Sequence, residues 1–468
     1  MSEFICGFEM HLPLKLESKL FCACQIVSKE TEPNSATCPT CLGMPGSKPV
    51  LNKKAVDFAV KLAFALNCKI EKTFFFSRKT YFYPDLAKNY QISQFELPIG
   101  KGGFVQLDSG KKIRISRLHL EEDPAALVHE SGVGQSDHVL VDYNRSGNPL
   151  CEVVTEPDIN SAEEAKEFLD KFNSIVSYLD IFDSDNFVVK ADTNISIKGG
   201  QRVEVKNVTG GKNIQAALDY ELKRQKAALQ KDKKIEKETR GFDEATGTTF
   251  SLRKKESEED YGFIADPDLP PIELDNAWLE KIKSSLPELA AEKAGRFIKK
   301  YKLKEYDAKV LASSKELAEI FEQAASHVSA EVASKFLTRE LLGILNYNGL
   351  SLKGSHVAAN DLIGLLKLIE AGKVSEKNAK QATIAYCLEK IPPQKYLEQN
   401  NLLIDMASAD ISAEVKAVLD ANKKAVDDLR QGNTKSMNFL VGQVMRAVKG
   451  KADARQIQKA IDDYLSHK

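Results

Sequence analysis

The chain has 468 residues, with 66 Lys and Arg against 67 Asp and Glu and a formal net charge of −1, so it carries no bulk cationic field and any contact with nucleic acid must come from local basic patches. Hydrophobic residues at 43% and charged residues at 28% describe an ordinary globular protein with the length for about three domains. No stretch approaches a membrane span, and Glu3 and Glu9 flank too short an apolar run for a secretory leader, so a cytoplasmic protein is expected.

From Phe4 to Leu12 the residues alternate, with Phe8, Met10 and Leu12 on one strand face and Glu9 and His11 on the other. A carboxylate and an imidazole thus stand side by side, a pattern that an edge histidine explains equally well. Cys22-Ala-Cys24 and Cys38-Pro-Thr-Cys41 follow. In a chain without a secretion signal this spacing reads as four thiolates around a structural zinc and not as disulfides, the alternative being reduced buried thiols. Cys6, Cys68, Cys151 and Cys387 stand apart, without an amidase-type Ser/Lys arrangement or a cysteine-protease motif, and read as core filler.

Turns at Met44-Pro45-Gly46 and Lys48-Pro49 precede a helix predicted from about Asn52, a fitting N-cap, to Leu66. Arg78-Lys79-Thr80-Tyr81-Phe82-Tyr83 joins a basic pair to aromatics, which suits either a single-stranded RNA end or an amphipathic edge strand. A strand from Lys112 to Leu120 leads into Arg117-Leu-His-Leu-Glu-Glu-Asp123. Arg117, His119 and Glu121 share one face of it, and Leu118 and Leu120 the other. Adjacent carboxylates beside basic side chains can hold a divalent cation over phosphate oxygens, although this stretch alone reads as well as a solvated strand end.

Asp142 to Gly147 and Thr155 to Asp158 are polar loops around Val153-Val154, and Ser161 with Glu164 forms a capping box for a helix to about Tyr178. A hairpin is predicted next, with strands Phe187 to Ile197 and Gln201 to Val205 joined by Lys198-Gly199-Gly200. Lys190, Asp192, Asn194 and Ser196 share a face of its first strand, and Arg202, Glu204 and Lys206 a face of its second. Glu9/His11, Glu121/Glu122, Asp192 and Glu204 therefore come from four strands, and this recurrence favours a divalent-metal site for a nucleoside triphosphate over a merely polar face. There is no G-x-x-x-x-G-K-[ST] loop, which argues against a P-loop fold.

Gln225 to Lys255 is charge-dense and reads as irregular, and Asp266-Pro-Asp-Leu-Pro-Pro271 excludes regular helix and central strand. A domain boundary is expected shortly after it. Ser285-Leu-Pro-Glu288 reads as a capping box with proline near N1 that opens a helical region. The stripes Leu362, Leu365, Leu366, Ile369 and Met437, Leu440, Val441, Val444, Met445, Val448 belong to small all-helical domains suited to a partner helix or RNA.

The chain resembles the B subunits of tRNA-dependent amidotransferases over nearly its full length. The resemblance is carried by Gly7-Phe-Glu-Met-His11, Ser18-Lys-Leu-Phe-Cys22, Cys38-Pro-Thr-Cys-Leu-Gly43, Arg78 through Leu86, Tyr90-Gln-Ile-Ser-Gln94 and His119 to Asp123. Val141-Asp-Tyr-Asn-Arg145, Glu156-Pro-Asp158, Asp192-Thr-Asn194, Lys206-Asn207, Asp268-Leu-Pro-Pro271 and Phe439 to Met445 extend it. The related archaeal E subunit carries an inserted domain for which this chain has no room, which favours the B type.

The resemblance implies an α+β chain, with a mixed or antiparallel sheet cradle domain similar to the glutamine synthetase fold at residues 1–285, then all-α helical and tail domains at 286–410 and 411–468, the tail binding tRNA. It implies ATP-dependent phosphorylation of the side-chain carboxylate of Glu-tRNA(Gln) or Asp-tRNA(Asn), and amidation with ammonia from an amidase (A) subunit, beside a small C subunit and away from any membrane. It implies that Glu9, His11, Glu121, Glu122 and Asp192 bind Mg2+. It also implies that Lys79 and Tyr81, with Arg145 and Lys190, approach nucleotide or the tRNA end, that Glu204 and Lys206 lie near the ammonia outlet, and that Cys22, Cys24, Cys38 and Cys41 hold Zn2+.

Three positions depart from the family's pattern: Lys190 stands for an arginine, Pro124 for the start of an Ala-Gly-Lys segment, and Gly262 for an arginine. A non-catalytic tRNA-binding adaptor is the alternative function, and a metal-dependent phosphate-ester hydrolase a third.

Overall fold

The computed structural model describes the chain except for residues 1–3, 129–137, 183–189, 199, 255–261, 354, 405–410, 431–433, 449–453 and 467–468. It divides into two compact units, Met1–Leu289 and Ala290–Lys468.

The first unit is built on a nine-stranded sheet. Its strands run in the order Thr248–Lys254, Glu238–Asp243, Val203–Thr209, Lys190–Ile197, Phe4–Pro13, Pro149–Thr155, Lys112–Glu122, Gly100–Gln106 and Lys69–Ile70. Of these neighbours, only the Val203–Thr209 and Glu238–Asp243 pair is parallel; the others are antiparallel. The strand nearest the N-terminus is therefore the fifth of nine, and its alternation decides what each face of the sheet carries. Phe8, Met10 and Leu12 are fully buried with Phe168 and Phe172 of the Ala162–Leu179 helix, and the Phe8 and Phe168 rings stack at 5.8 Å. The Lys53–Ala65 helix, capped by the Asn52 side chain on Lys54 N, buries Val56, Ala59, Val60 and Ala63 in the same core. With one face given to helices, Glu9 and His11 point to the other.

Most of the charge-dense stretch from Gln225 to Lys254 is regular helix or strand, contrary to the sequence reading, with residues 230–237 irregular between them; Lys255 lies outside the described residues. The Gly211–Leu229 helix runs into it, and the Glu238–Asp243 and Thr248–Lys254 strands follow. Its charges are not a loop signature because they satisfy one another. Glu221 accepts from Arg224 Nε and Nη2 at 2.9 Å, from Gln225 Nε2 at 3.0 Å and from the Thr249 hydroxyl. Arg240 lies 3.0 Å from Glu221 and bonds Thr249 and Glu238. Glu221 and Gln225 have no exposed surface.

Two further readings shift. Ser285 ends a helix instead of opening one: Asn276–Ser284 is capped by Asp275 at its start, and the Ser285 hydroxyl donates to Ile282 O at 2.7 Å. The next helix is Ala290–Tyr301, after Pro287 has interrupted the chain. In the hairpin, Phe187 to Val189 and Gly199 lie outside the described residues, and the return strand is Val203–Thr209, beginning later than expected. The pairing of the two strands shifts register between Ala191 and Thr193.

The second unit is helical from Ala290 to Ser466 among its described residues, with one π-helical turn at Phe336–Leu341. It holds two hydrophobic clusters, one around Phe297, Phe321, Leu337 and Leu366, the other around Val415, Leu440, Val444, Ile457 and Ile461. The α+β architecture expected from the sequence is thus found, with strands in the first unit and helices in the second. Among the described residues no helix is long and apolar enough to cross a membrane.

Candidate active site

Strand register assembles the polar face of the sheet. Glu9 stands opposite Asp192, His11 opposite Glu152, and Glu152 opposite His119. Two groups of donors result. The ligand atoms of His11, Glu121 and Glu152 all lie within 4.8 Å of one another, and so do those of Glu9, Asp192 and Glu204. Five strands contribute to the two groups, and the Phe4–Pro13 strand supplies one residue to each.

In the first group His11 Nε2 lies 3.8 Å from Glu121 and 3.7 Å from Glu152. The buried His119 imidazole stands behind the same two carboxylates at 3.7 and 3.6 Å, and Arg117 is 3.6 Å from Glu152. Ser93 donates its hydroxyl to Glu121 at 3.3 Å. Burial pushes the Glu121 carboxyl upward, but His119, His11 and Lys79 outweigh it and hold the group down at about 2. Burial works against a charged His11, yet Glu152, Glu121 and Asp192 raise its imidazole above the ordinary value. Glu121 and His11 therefore each favour the other's charged form in a buried place, and His11 would give up its proton to take a cation.

In the second group Asn194 Nδ2 donates to Glu9 at 2.8 Å, Lys206 Nζ to Asp192 at 3.1 Å, and the Thr239 hydroxyl to Glu204 at 3.0 Å. Burial disfavours a charged Lys206, but Asp192, Glu204 and Glu9 together keep it above its usual range.

Lys79, on the short Ser77–Thr80 strand, acts on Glu121 through its charge and lies 5.9 Å from the Tyr81 ring. Beyond the carboxylates is a cationic end. Arg145 engages Asp123 through Nε and Nη2, and Lys190 is held below its ordinary value by burial and by Arg145, with Lys29 adding to the effect. Glu122, grouped with Glu121 in the sequence reading, is in neither donor group. Lys88 holds its two oxygens at 2.5 and 2.6 Å, and Ile92 N donates to it at 2.9 Å.

Glu152 was missed. It is the one acid in the apolar strand PLCEVVT, and a buried carboxylate there is the available signal, since a lone charge in such a run needs a partner. Ser93 and Thr239 give no comparable signal, because hydroxyl residues are ordinary in strands.

Cys22, Cys24, Cys38 and Cys41 come together as the third donor group, with their sulfurs within 4.8 Å. None of the four is in a disulfide. The hydrogen bond with Cys22 lowers the Cys41 thiol to about 4 against the effect of burial, with the Cys38 backbone and Lys19 helping. The Cys22 thiol is raised in turn.

Residues 4–280 match the family described as the GatB/GatE catalytic domain, and residues 319–465 match the GatB domain. The chain is 43% identical to the B subunit of the aspartyl/glutamyl-tRNA(Asn/Gln) amidotransferase of Thermotoga petrophila, across 98% of each chain. The proteins of the same name from Carboxydothermus hydrogenoformans and Methanosarcina barkeri are 39% and 40% identical, over 99% and 97% of each chain.

Proposed function

The chain belongs to the GatB family of tRNA-dependent amidotransferase B subunits, and from that premise we propose how its residues carry out the reaction. Within a complex with A and C subunits the chain catalyses amidation of misacylated tRNA. The observation that carries the mechanism is the pair of three-donor groups drawn from five strands on one sheet face.

The reaction begins when a side-chain carboxylate oxygen of tRNA-bound glutamate or aspartate attacks the γ-phosphorus of ATP and ADP leaves. Ammonia then attacks the acyl carbon of the acyl phosphate, inorganic phosphate leaves, and the amide remains. Both reactants of the first step are anions, so the site must offset their repulsion. Arg145 and Lys190 supply fixed positive charge at one end, and Lys79 supplies it beside Glu121. The donor sets fit hard divalent cations, being rich in carboxylate oxygen: Mg2+ would be held by His11, Glu121 and Glu152 and by Glu9, Asp192 and Glu204. When bound, such ions supply charge neutralisation at the phosphoryl oxygens. Lys206, kept protonated between Asp192 and Glu204, orients those carboxylates and stands where ammonia would be received. The four cysteines fit structural Zn2+, whose preferred ligands are thiolates in a closed tetrahedral set.

The all-helical second unit carries the tRNA-binding tail in this reading, and the work is cytoplasmic, where tRNA is charged. To test the mechanism, the chain is reconstituted with its A and C subunits and given Glu-tRNA(Gln) or Asp-tRNA(Asn), ATP and glutamine. ATP-dependent formation of the amide is expected. Phosphate release that is indifferent to the charged tRNA would instead indicate a hydrolase.

A further inference from the structure

Lys19 has no exposed surface. Its Nζ donates to Ala36 O at 3.1 Å and to Tyr143 O at 3.3 Å. An ammonium buried so completely needs partners on every side, and here they come from two separate parts of the chain. Ala36 lies between the two cysteine pairs, and Tyr143 lies in the 141–148 segment. Asn34, in the left-handed conformation at φ 60, makes the same connection from the protein's surface. Its side chain accepts from Tyr143 N at 2.7 Å and donates to Val141 O at 3.1 Å, while its own N–H donates to Asp142 at 2.9 Å. Asn144 reciprocates, accepting from Ala36 N at 2.8 Å and donating to Glu32 O at 2.7 Å. The Ser146 hydroxyl donates to Cys41 O at 2.9 Å. Gly147 supplies the φ of +85 with which the segment passes beside Lys19 and Cys41, where an added Cβ would be in ordinary contact at 3.6 Å.

The far side of the segment faces the reaction site. Asp123 N donates to Asn148 O at 2.8 Å, and Gly147 N to Asp123 O at 2.9 Å. Arg145 holds the Asp123 carboxylate. Asp123 is two residues from Glu121, so the segment touches the cysteine knuckle on one side and the cationic end of the site on the other.

We propose that the knuckle is a clasp that, through Asp123, fixes Arg145 in position to receive the phosphates, with Lys19 and Asn34 as its positioning residues. This rests on the reading of the four cysteines as a zinc centre and of the cationic end as the phosphate subsite. A thiolate-bound zinc is net anionic, and the buried Lys19 supplies a positive charge that acts on Cys41. Neither residue touches substrate. Their effect is on where Arg145 stands, so it falls on ATP binding before it falls on the chemistry.

The test uses the full complex with its A and C subunits, with ammonium chloride as nitrogen donor so that the glutaminase is bypassed. Lys19→Met, Lys19→Arg and Asn34→Gly are compared with wild type for KM of ATP, kcat, zinc content and amide hydrogen exchange over residues 141–148. Asn34→Gly preserves the left-handed backbone and deletes only an exposed amide, so it carries the test if Lys19→Met does not fold. Lys19→Met and Asn34→Gly are expected to raise KM for ATP about tenfold and speed exchange in that segment, with kcat within about twofold and zinc retained. Lys19→Arg restores part of the loss. Unchanged KM and unchanged exchange in Asn34→Gly would overturn the clasp. The underlying reading is judged on wild type first: absence of zinc from the metal-replete complex, or of ATP-dependent amidation by it, overturns that reading and not the comparison among variants.

Discussion

Glu121 and Glu122 are consecutive on one strand and serve opposite sides of it. Glu121 lies 3.8 Å from His11 among the metal-type donors, whereas Glu122 is held to Lys88 at 2.5 Å and to the backbone of Ile92. Both are buried. The strand period puts successive side chains on different faces, so two adjacent acids have two jobs.

Their substitutions should therefore separate. Glu121→Gln leaves the fold and tRNA affinity near wild type and lowers kcat for amidation by about a hundredfold or more, read in a steady-state assay beside a tRNA-binding titration. Glu122→Gln leaves the Lys88 ammonium without its charge partner and should cost about 3 kcal/mol of stability in denaturant unfolding. Full amidation by Glu121→Gln would favour the adaptor alternative, in which the acids are structural.

Glu152→Gln tests the donor that the sequence reading passed over. The first donor group would retain His11 and Glu121 and lose one charge. Affinity for Mn2+, used as a spectroscopic substitute for Mg2+ in paramagnetic titration, should fall about tenfold or more. Equal affinity in wild type and variant would remove Glu152 from the proposed set.

The buried Glu221 network predicts a pH dependence of stability. Burial alone would raise the Glu221 carboxyl, but Arg224, Thr249 and Gln225 bring it below its ordinary 4.5. A depressed folded value means a contribution fully present above 4.5 and lost as pH falls through the folded value. Glu221→Gln should be less stable than wild type by about 3 kcal/mol at neutral pH, where it leaves two arginines short of a partner. Thermal unfolding from pH 7 down to pH 3 should show the two proteins converging at the acid end. A constant gap over that range would contradict the assignment.

Elemental analysis of metal-replete protein should give about one zinc per chain, and a strong chelator should release it together with loss of order in the knuckle. A Cys38→Ser chain should hold markedly less zinc than wild type. Zinc content unaffected by Cys38→Ser would rule out the four-thiolate centre.

Much of this protein was legible in the residues because strand alternation is local. Phe8, Met10 and Leu12 against Glu9 and His11, and Leu118 and Leu120 against His119 and Glu121, could be sorted by period alone. The cysteine spacing likewise declared its cluster, since each pair is only a few residues apart. Local rules failed at Glu238 to Lys254, where charge density suggested loop. Glu221, Arg224, Arg240 and Thr249 neutralise one another only once a helix and two strands have docked, and that pairing has no local signature.

The sequence by itself determined which side chains share a face of each strand, because that follows from backbone geometry within one strand. It did not determine which strands are neighbours. Placing Phe4–Pro13 between Pro149–Thr155 and Lys190–Ile197 brought Glu152 to His11 and Asp192 to Glu9. The choice between Glu121 and Glu122 was likewise made by what packs on each side of their strand, since either acid has the chemistry to bind a cation. Long-range pairing decides such questions because it is settled by burying the whole helix-covered face at once, and no single residue carries that information.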